Sequence, residues 1–278
     1  MSNDQHSWDL KNLPGKHFSE GGKGCLNRHE SNYKEGEKCS HRWQSYKAAT
    51  ADAKLYNWPA YQSLSNETRK NRFSMETYWF QRFLTQPPAA GAWDLDKNTR
   101  GYPNFRWRAS IPYWHEAHHI VPNSDLCNAI LKVGQALPLS GPITLLVRSG
   151  LLDEGYNLND QINMILLPMD RKISRALGLP RHRSTRFLRN HKAYSKNVSR
   201  RLDTIFRPLK ENSQECKDKL PKYKKCRKQI EDLSKELYPQ IVKAGDAMKA
   251  AGKSDSLDDM PESAFREKPD FDLNDIDV

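Results

Sequence analysis

Three histidines crowd the segment YWHEAHHIVPNSD (Tyr113–Asp125): His115, His118 and His119. Imidazole is a common ligand for divalent metals and the side chain that titrates nearest neutrality, so such a cluster can hold a cation or move a proton. Neighbouring residues on a regular strand face opposite sides. His118 and His119 therefore serve one site only where the backbone bends, at a strand end or a bulge; otherwise the pair is one surface ring and one core ring. Downstream, GYNLNDQINMILLP (Gly155–Pro168) carries Asn163 at the start of a short apolar run, and RNHKAYSKNV (Arg189–Val198) carries His191 on the apolar face of a helix. Phosphodiester cleavage needs a divalent cation to neutralise charge on the phosphate and the leaving oxygen. It also needs a base for water and a group that orients the base. A hairpin with His118 and His119, a second strand with Asn163 and a helix with His191 is a ββα arrangement that could supply all of these.

The blocks Ala117-His118-His119-Ile120-Val121-Pro122, Asn163 with Leu167-Pro168, and His191 with Tyr194 and Val198 occur in that order. In this the chain resembles the AHH family of the HNH/endonuclease VII superfamily, small nuclease modules frequent in bacterial polymorphic toxins. The resemblance covers residues 110–207. It implies that His118 is the first metal ligand, that His119 is the general base, that Asn163 fixes the His119 ring and that His191 is a further ligand. Tyr194 would either support His191 or touch phosphate, its alternative being helix packing. Related modules commonly supply another histidine just before the helix ligand, but positions 186–190 read RFLRN. The nearest candidate, His182, lies nine residues upstream of His191. Nine residues of one helix rotate by about 900°, so the two rings would point to opposite sides. His182 can join the metal only from a loop ahead of the helix, which Pro180 and a Ser184 cap would permit. Asn159 and Asp125 are lesser substitutes, or two protein ligands suffice. His115 is expected to be structural or a phosphate contact, and Ala117 to be small beside the metal. Mg²⁺ is the default cation, with Zn²⁺, Mn²⁺ or Ni²⁺ permitted by imidazole.

The elements that must position these residues give an α+β class, mostly helical. The expected organisation is a helical N-terminal region over 1–105, a nuclease domain over 106–210 with a ββα-metal core, a basic helical extension over 211–254 and an acidic disordered tail over 255–278. Residues 1–40 read as loop and 42–84 as helices, with Thr77–Leu84 buried. Arg108–Tyr113 is a candidate strand and Ile120-Val121 a strand end. Ser124–Ala136 reads as a helix capped by Ser124 or Asp125. Asn163–Leu167 reads as a strand closed by Pro168. A helix from Thr185 shows apolar positions Phe187, His191, Tyr194, Val198, Leu202 and Ile205. A second runs through Leu220, Tyr223, Cys226, Ile230, Leu233, Leu237 and Ile241, with Pro221 suited to its first turn and Pro239 expected to end or kink it.

The chain has 278 residues with net charge +11, 37% of them hydrophobic. No run approaches the roughly 20 apolar residues that span a bilayer. The opening MSNDQHSWDLKN lacks the basic and apolar regions of a classical secretory signal. Residues 255–278 hold nine acids against Arg266 and Lys268, whereas 171–230 hold 20 Lys/Arg against four acids. That basic density would attract a polyanion, and Arg181, Arg183, Arg186, Lys192, Lys196 and Tyr194 are the candidates for gripping its backbone. Such contacts carry no sequence information, so little sequence specificity is expected. Five cysteines without a CxxC pair exclude a zinc ribbon and read as reduced thiols. A Cys25–Cys39 or Cys216–Cys226 bridge is open after export. The set His17, Cys25, His29, Cys39 and His41 fits no standard zinc spacing.

The expected function is a metal-dependent, largely sequence-nonspecific DNA endonuclease. The alternatives are an RNase using the same residues and a non-catalytic nucleic-acid-binding protein. The family implies an antibacterial toxin or effector with a cognate immunity protein. It would be made in the cytoplasm and secreted into a target cell without a cleaved signal, for example by a type VI apparatus. The N-terminal region would dock on that machinery or on a chaperone.

Overall fold

The computed structural model describes residues 2–28, 36–52, 115–136, 140–169, 171–183, 191–211, 223–252, 256–257 and 259–265, with Lys34 and Ser63 singly. In chain order the named elements are α1 (Ser2–Asn12), α2 (His41–Ala51), β1 (His115–His119), α3 (Asn123–Gln135), α4 (Ser140–Asp153), β2 (Met164–Pro168), α5 (Arg171–Leu177), α6 (Lys192–Glu211) and α7 (Tyr223–Ala250). The architecture is α+β and mostly helical. Expectations for Thr77–Leu84, Arg108–Tyr113, Ser184, Arg186, Phe187 and Pro221 lie outside the described residues.

β1 and β2 form an antiparallel pair in which His118 faces Ile165 and His119 faces Met164. All five residues of β2, MILLP, are buried, because α2 covers the sheet and the helices pack around it. A short strand of continuous apolar residues is what a doubly covered position requires. Asn163 closes a one-turn 3₁₀ helix, Gln161–Asn163, rather than opening the strand. The side chain of Asp160 caps that turn by accepting from the Ile162 N–H.

α3 is amphipathic, burying Leu126, Ala129, Ile130 and Val133. Its N-cap position is Pro122, with no side-chain cap. Ser124 and Asp125 are thus inside the first turn, where an acid still favours the positive end of the helix dipole. α6 buries Tyr194, Val198, Leu202, Phe206 and Leu209, so its apolar stripe runs through Phe206 where Ile205 was expected. α7 continues for eleven residues beyond Pro239, so that proline does not end it. Ile230, Leu233, Leu237 and Ile241 are buried on both sides of the ring, and their packing outweighs one missing backbone bond. Gly150 of α4 has Tyr223 against it: a Cβ there would lie 2.1 Å from the ring. α7 is therefore seated in the body of the fold rather than appended to it.

Two terminal segments depart from expectation. Residues 1–40 contain α1, where loop was expected, and α1 is tied to α4 by a buried Asp9–Arg148 ion pair. The acidic tail is not disordered over its first part. Leu257, Met260 and Phe265 are buried, and Phe265 packs edge-on against Tyr194 at 4.9 Å. Its apolar residues are few but converge on one side of α6 and α7, which charge averages conceal. Among the described residues no helix is long and apolar enough to cross a membrane.

Candidate metal centre and base

His118 and His119 occupy the last two positions of β1, immediately before a bend at Ile120 and Val121. Alternation along the strand gives His118 the same face as Glu116 and gives His119 the face of Ala117 and His115. Ala117 therefore adjoins the base rather than the metal ligands. His115 is buried at the far end of β1, opposite Pro168, and reads as structural.

On the first face three imidazoles meet. Ring centroids lie 4.9 Å apart for His118–His182, 5.0 Å for His118–His191 and 4.9 Å for His182–His191. The triangle is nearly equilateral, and one nitrogen from each ring lies within 4.8 Å of the others. His182 reaches it from a bend outside any helix, held by its own N–H donating to the Pro168 carbonyl at 2.8 Å. His191 is the residue ahead of α6, and its carbonyl accepts the Ser195 N–H at 2.6 Å. The angular objection to two ligands nine residues apart disappears because neither belongs to a continuous helix.

The donor set fits a divalent cation. His118 Nδ1 and His182 Nε2 are 3.1 Å apart. Two nitrogens each about 2.0–2.1 Å from one ion stand roughly 2.8–3.4 Å apart at octahedral to tetrahedral angles. Burial pushes the His118 imidazole well below its ordinary pKa, and the charges of His182, His191, His119 and Arg28 push the same way. A neutral ring offers the lone pair a metal needs. His182 Nδ1 donates to Glu116 Oε2 at 2.6 Å, which leaves Nε2 as the acceptor facing the cluster. Burial alone would raise the Glu116 carboxyl. The hydrogen bond and charge of His182 and the pairing with Arg183 instead bring it down to about 2. Carboxylate–histidine support of this kind fixes tautomer and ring orientation in metal sites.

On the other face His119 Nε2 lies 2.9 Å from Asn159 Oδ1. Asn159 Nδ2 donates to the Asn27 carbonyl at 2.9 Å. A carbonyl can only accept, so the carboxamide orientation is set. Asn159 Oδ1 must then receive the proton on His119 Nε2, and Nδ1 keeps the lone pair. Burial lowers the His119 imidazole to about 4; the Asn159 bond opposes the shift, and the charges of Arg28 and His182 add to it. The ring is thus neutral at pH 7. His41 of α2 lies alongside it, with centroids 5.7 Å apart.

The Asn163 side chain bonds elsewhere than to His119, contrary to expectation. Its Oδ1 accepts from the Val121 N–H at 2.6 Å and from Ser234 Oγ at 2.8 Å. Its Nδ2 donates to the carbonyls of Leu158 at 2.7 Å and Val121 at 3.2 Å. It is a buried brace joining the turn after β1, the loop before β2 and α7.

Tyr194 is fully buried, and its hydroxyl donates to the Ile120 carbonyl. It packs behind His118 at 5.5 Å and does not reach solvent phosphate. Arg181 is buried and bridges to Ser256, and Arg183 is paired with Glu116, so neither is a surface grip. Lys192 and Lys196 are exposed one turn apart on α6, and Arg200 extends their row. Among the described residues, His118, His182 and His191 are the one group able to hold a metal. His17, Cys25, Cys39 and His41 do not assemble into a second, and His29 lies outside. Cys25, Cys39, Cys127 and Cys226 are buried and form no disulfide among the described residues.

A family model described as a nuclease family of the HNH/ENDO VII superfamily with conserved AHH matches residues 107–237. That stretch, the AHH segment, is similar to this nuclease family. No curated protein and no solved structure matches the chain. The AHH segment contains β1, β2, the three clustered histidines and Ser234, and it ends within α7. Two supports of the site were not read from the sequence. Glu116 stands two residues before His118, so period-2 alternation alone puts it on the ligand face. Asn27, far outside the AHH segment, has no local signal that ties it to Asn159.

Proposed function

We propose that the chain is a metal-dependent endonuclease with a ββα-metal core that hydrolyses DNA backbone with little sequence preference. The observation that supports this most is the triangle of His118, His182 and His191 with a separately oriented neutral imidazole on the next residue. A divalent cation held by the three rings would neutralise charge on the phosphate and on the leaving 3′ oxygen. His119 takes the proton of the attacking water on Nδ1, while Asn159 holds the proton on Nε2. The water oxygen bonds to phosphorus, the bond to the 3′ oxygen breaks, and that oxygen takes a proton from solvent. Glu116 holds His182 in the tautomer that presents Nε2. Lys192 and Lys196, with Arg200, give the duplex backbone a cationic edge. Three imidazole nitrogen donors favour Zn²⁺, Ni²⁺ or Mn²⁺ over Mg²⁺, which prefers oxygen.

The toxin role belongs to the same reading. A nuclease without sequence preference endangers the cell that makes it. A cognate immunity protein, export without a cleaved signal and a docking partner for the N-terminal region would answer that need. Digestion of plasmid and of structured RNA by purified protein, across Mg²⁺, Mn²⁺, Ni²⁺ and Zn²⁺ and with chelator, tests the activity. DNA cleavage that chelator and His119→Ala both abolish is expected. Cleavage persisting in His119→Ala would remove the assigned base, and loss of RNA alone would make the enzyme an RNase. Expression in bacteria without any inhibitor should arrest growth; healthy cells would remove the toxin role.

A further inference from the structure

The histidine cluster is built by the AHH segment, but one side of the base is not. Cys25 donates its N–H to the Tyr156 carbonyl at 3.0 Å, and its carbonyl accepts the Leu158 N–H at 2.8 Å. Residues 24–28 are thereby laid as an extended strap along the loop that carries Asn157 and Asn159. Asn27 pins the strap from the other side, donating Nδ2 to Asp9 Oδ2 at 2.6 Å, and Asp9 is held by buried Arg148. The Asn27 carbonyl receives the Asn159 amide, which in turn holds His119. The next residue in the chain is Arg28.

Arg28 is exposed, whereas Gly24, Cys25, Leu26 and Asn27 before it are buried. No described residue pairs with its guanidinium. It directly follows Asn27, whose carbonyl holds Asn159 and through it His119, so Arg28 stands at the edge of the site. Glu116, the acid on the ligand face, is already engaged by His182 and Arg183. A fixed cation beside neutral imidazoles that would hold a second cation is repulsive by itself. The arrangement becomes favourable when an anion lies between them, and a guanidinium matches two phosphate oxygens at once.

We propose that Arg28 binds the phosphate of the substrate at the His118–His119 edge, so that the strap 24–28 forms one wall of the nucleic-acid site. This rests on the nuclease reading. It gives the N-terminal region a part in substrate binding, and it places a substrate contact outside the AHH segment.

The test uses the full chain, a short DNA duplex and the most active metal. Arg28→Gln is expected to raise KM by roughly 10–100-fold and to make the salt dependence of binding shallower by about one unit of log–log slope. Arg28→Lys should recover part of the affinity, because the charge remains and the fork is lost. Melting temperature should stay at the wild-type value, since Arg28 is exposed, and metal affinity should not fall, because removing a nearby cation cannot weaken the hold on another. Lys11→Gln removes the same unit of charge from the last turn of α1 and should leave KM unchanged. Wild-type KM and salt slope in Arg28→Gln would overturn the proposal, as would an equal loss in Lys11→Gln. If wild-type protein cleaves no nucleic acid, the nuclease reading fails separately. Duplex binding then decides on Arg28: weakened binding in Arg28→Gln supports it, and equal binding overturns it.

Discussion

Replacing Asn159 and Asn163 by alanine, one at a time, separates the group that orients the base from the group that braces the fold. Asn163 makes four side-chain hydrogen bonds, to Val121 N–H, the Val121 and Leu158 carbonyls and Ser234. At about 1 kcal/mol net for each, and with the abandoned partners buried, Asn163→Ala should lose about 4 kcal/mol or more. At roughly 2–4 °C per kcal/mol for a protein of this size, that is a fall of about 8–16 °C in melting temperature. Asn159 makes two good bonds through its side chain, to His119 and to the Asn27 carbonyl, so Asn159→Ala should cost about 2 kcal/mol, or about 4–8 °C. The order reverses for catalysis. Without Asn159 the His119 ring is free to rotate and to place its proton on Nδ1, and cleavage should drop on the order of 100-fold. Asn163→Ala, assayed well below its lowered midpoint, should lose less than about tenfold. Asn159→Asp keeps an acceptor for His119 and gives up the donor to Asn27, so its rate should fall between wild type and Asn159→Ala. Thermal unfolding by circular dichroism and single-turnover plasmid cleavage read the two effects apart. An Asn159→Ala enzyme that cleaves at the wild-type rate refutes the assignment, and so does an Asn163→Ala enzyme that melts normally but is inert.

Three further outcomes follow from the same geometry. Glu116→Gln removes the carboxylate behind His182 and leaves Arg183 without its partner, so metal affinity by titration calorimetry should weaken about 10–100-fold; unchanged affinity would show that His182 is not a ligand. Tyr194→Phe deletes the bond to the Ile120 carbonyl and should cost about 1 kcal/mol of stability while DNA affinity stays constant, whereas weakened DNA binding with an unchanged melting point would restore Tyr194 as a phosphate contact. Asp125 is raised by burial, against the hydrogen bonds of Ser195 and Ser199 and the charge of Lys132, so its ionised form destabilises the folded state. Asp125→Asn should melt like wild type, or slightly lower, at pH below the ordinary carboxylate range, and gain on it as pH rises through the elevated pKa. A gap that narrows with rising pH would contradict the sign.

How much of the site was legible depended on how local its parts are. The candidate ligands His118 and His191, and the base candidate His119, announce themselves by residue type within short segments. His182 could be placed by elimination: it lies in a bend and His191 lies just ahead of α6, so neither ring is carried by a helical turn. The carboxamide that meets the His119 ring, Asn159, lies four residues before the one expected, Asn163. Asn159 and Asn163 sit in one loop of similar residues, and sequence carries no measure of which amide meets the His119 ring and which turns back to Val121. That choice is made by partners far along the chain: the Asn27 carbonyl, 132 residues before Asn159, and the Ser234 hydroxyl, 71 residues beyond Asn163. The N-terminal region shows the same limit. Its weak periodicity and polar composition suggest a separate docking piece, yet Asp9 pairs with an arginine 139 residues away that is only 2% exposed. A buried arginine is costly unless an acid meets it, so the burial of Arg148 in α4 depends on α1 supplying Asp9. The strap that continues from α1 then holds Asn159, and through it the base. Removing residues 1–28 should therefore inactivate the AHH segment even though every ligand and the base remain, a consequence that local motifs could not convey because the coupling runs through hydrogen bonds between distant residues.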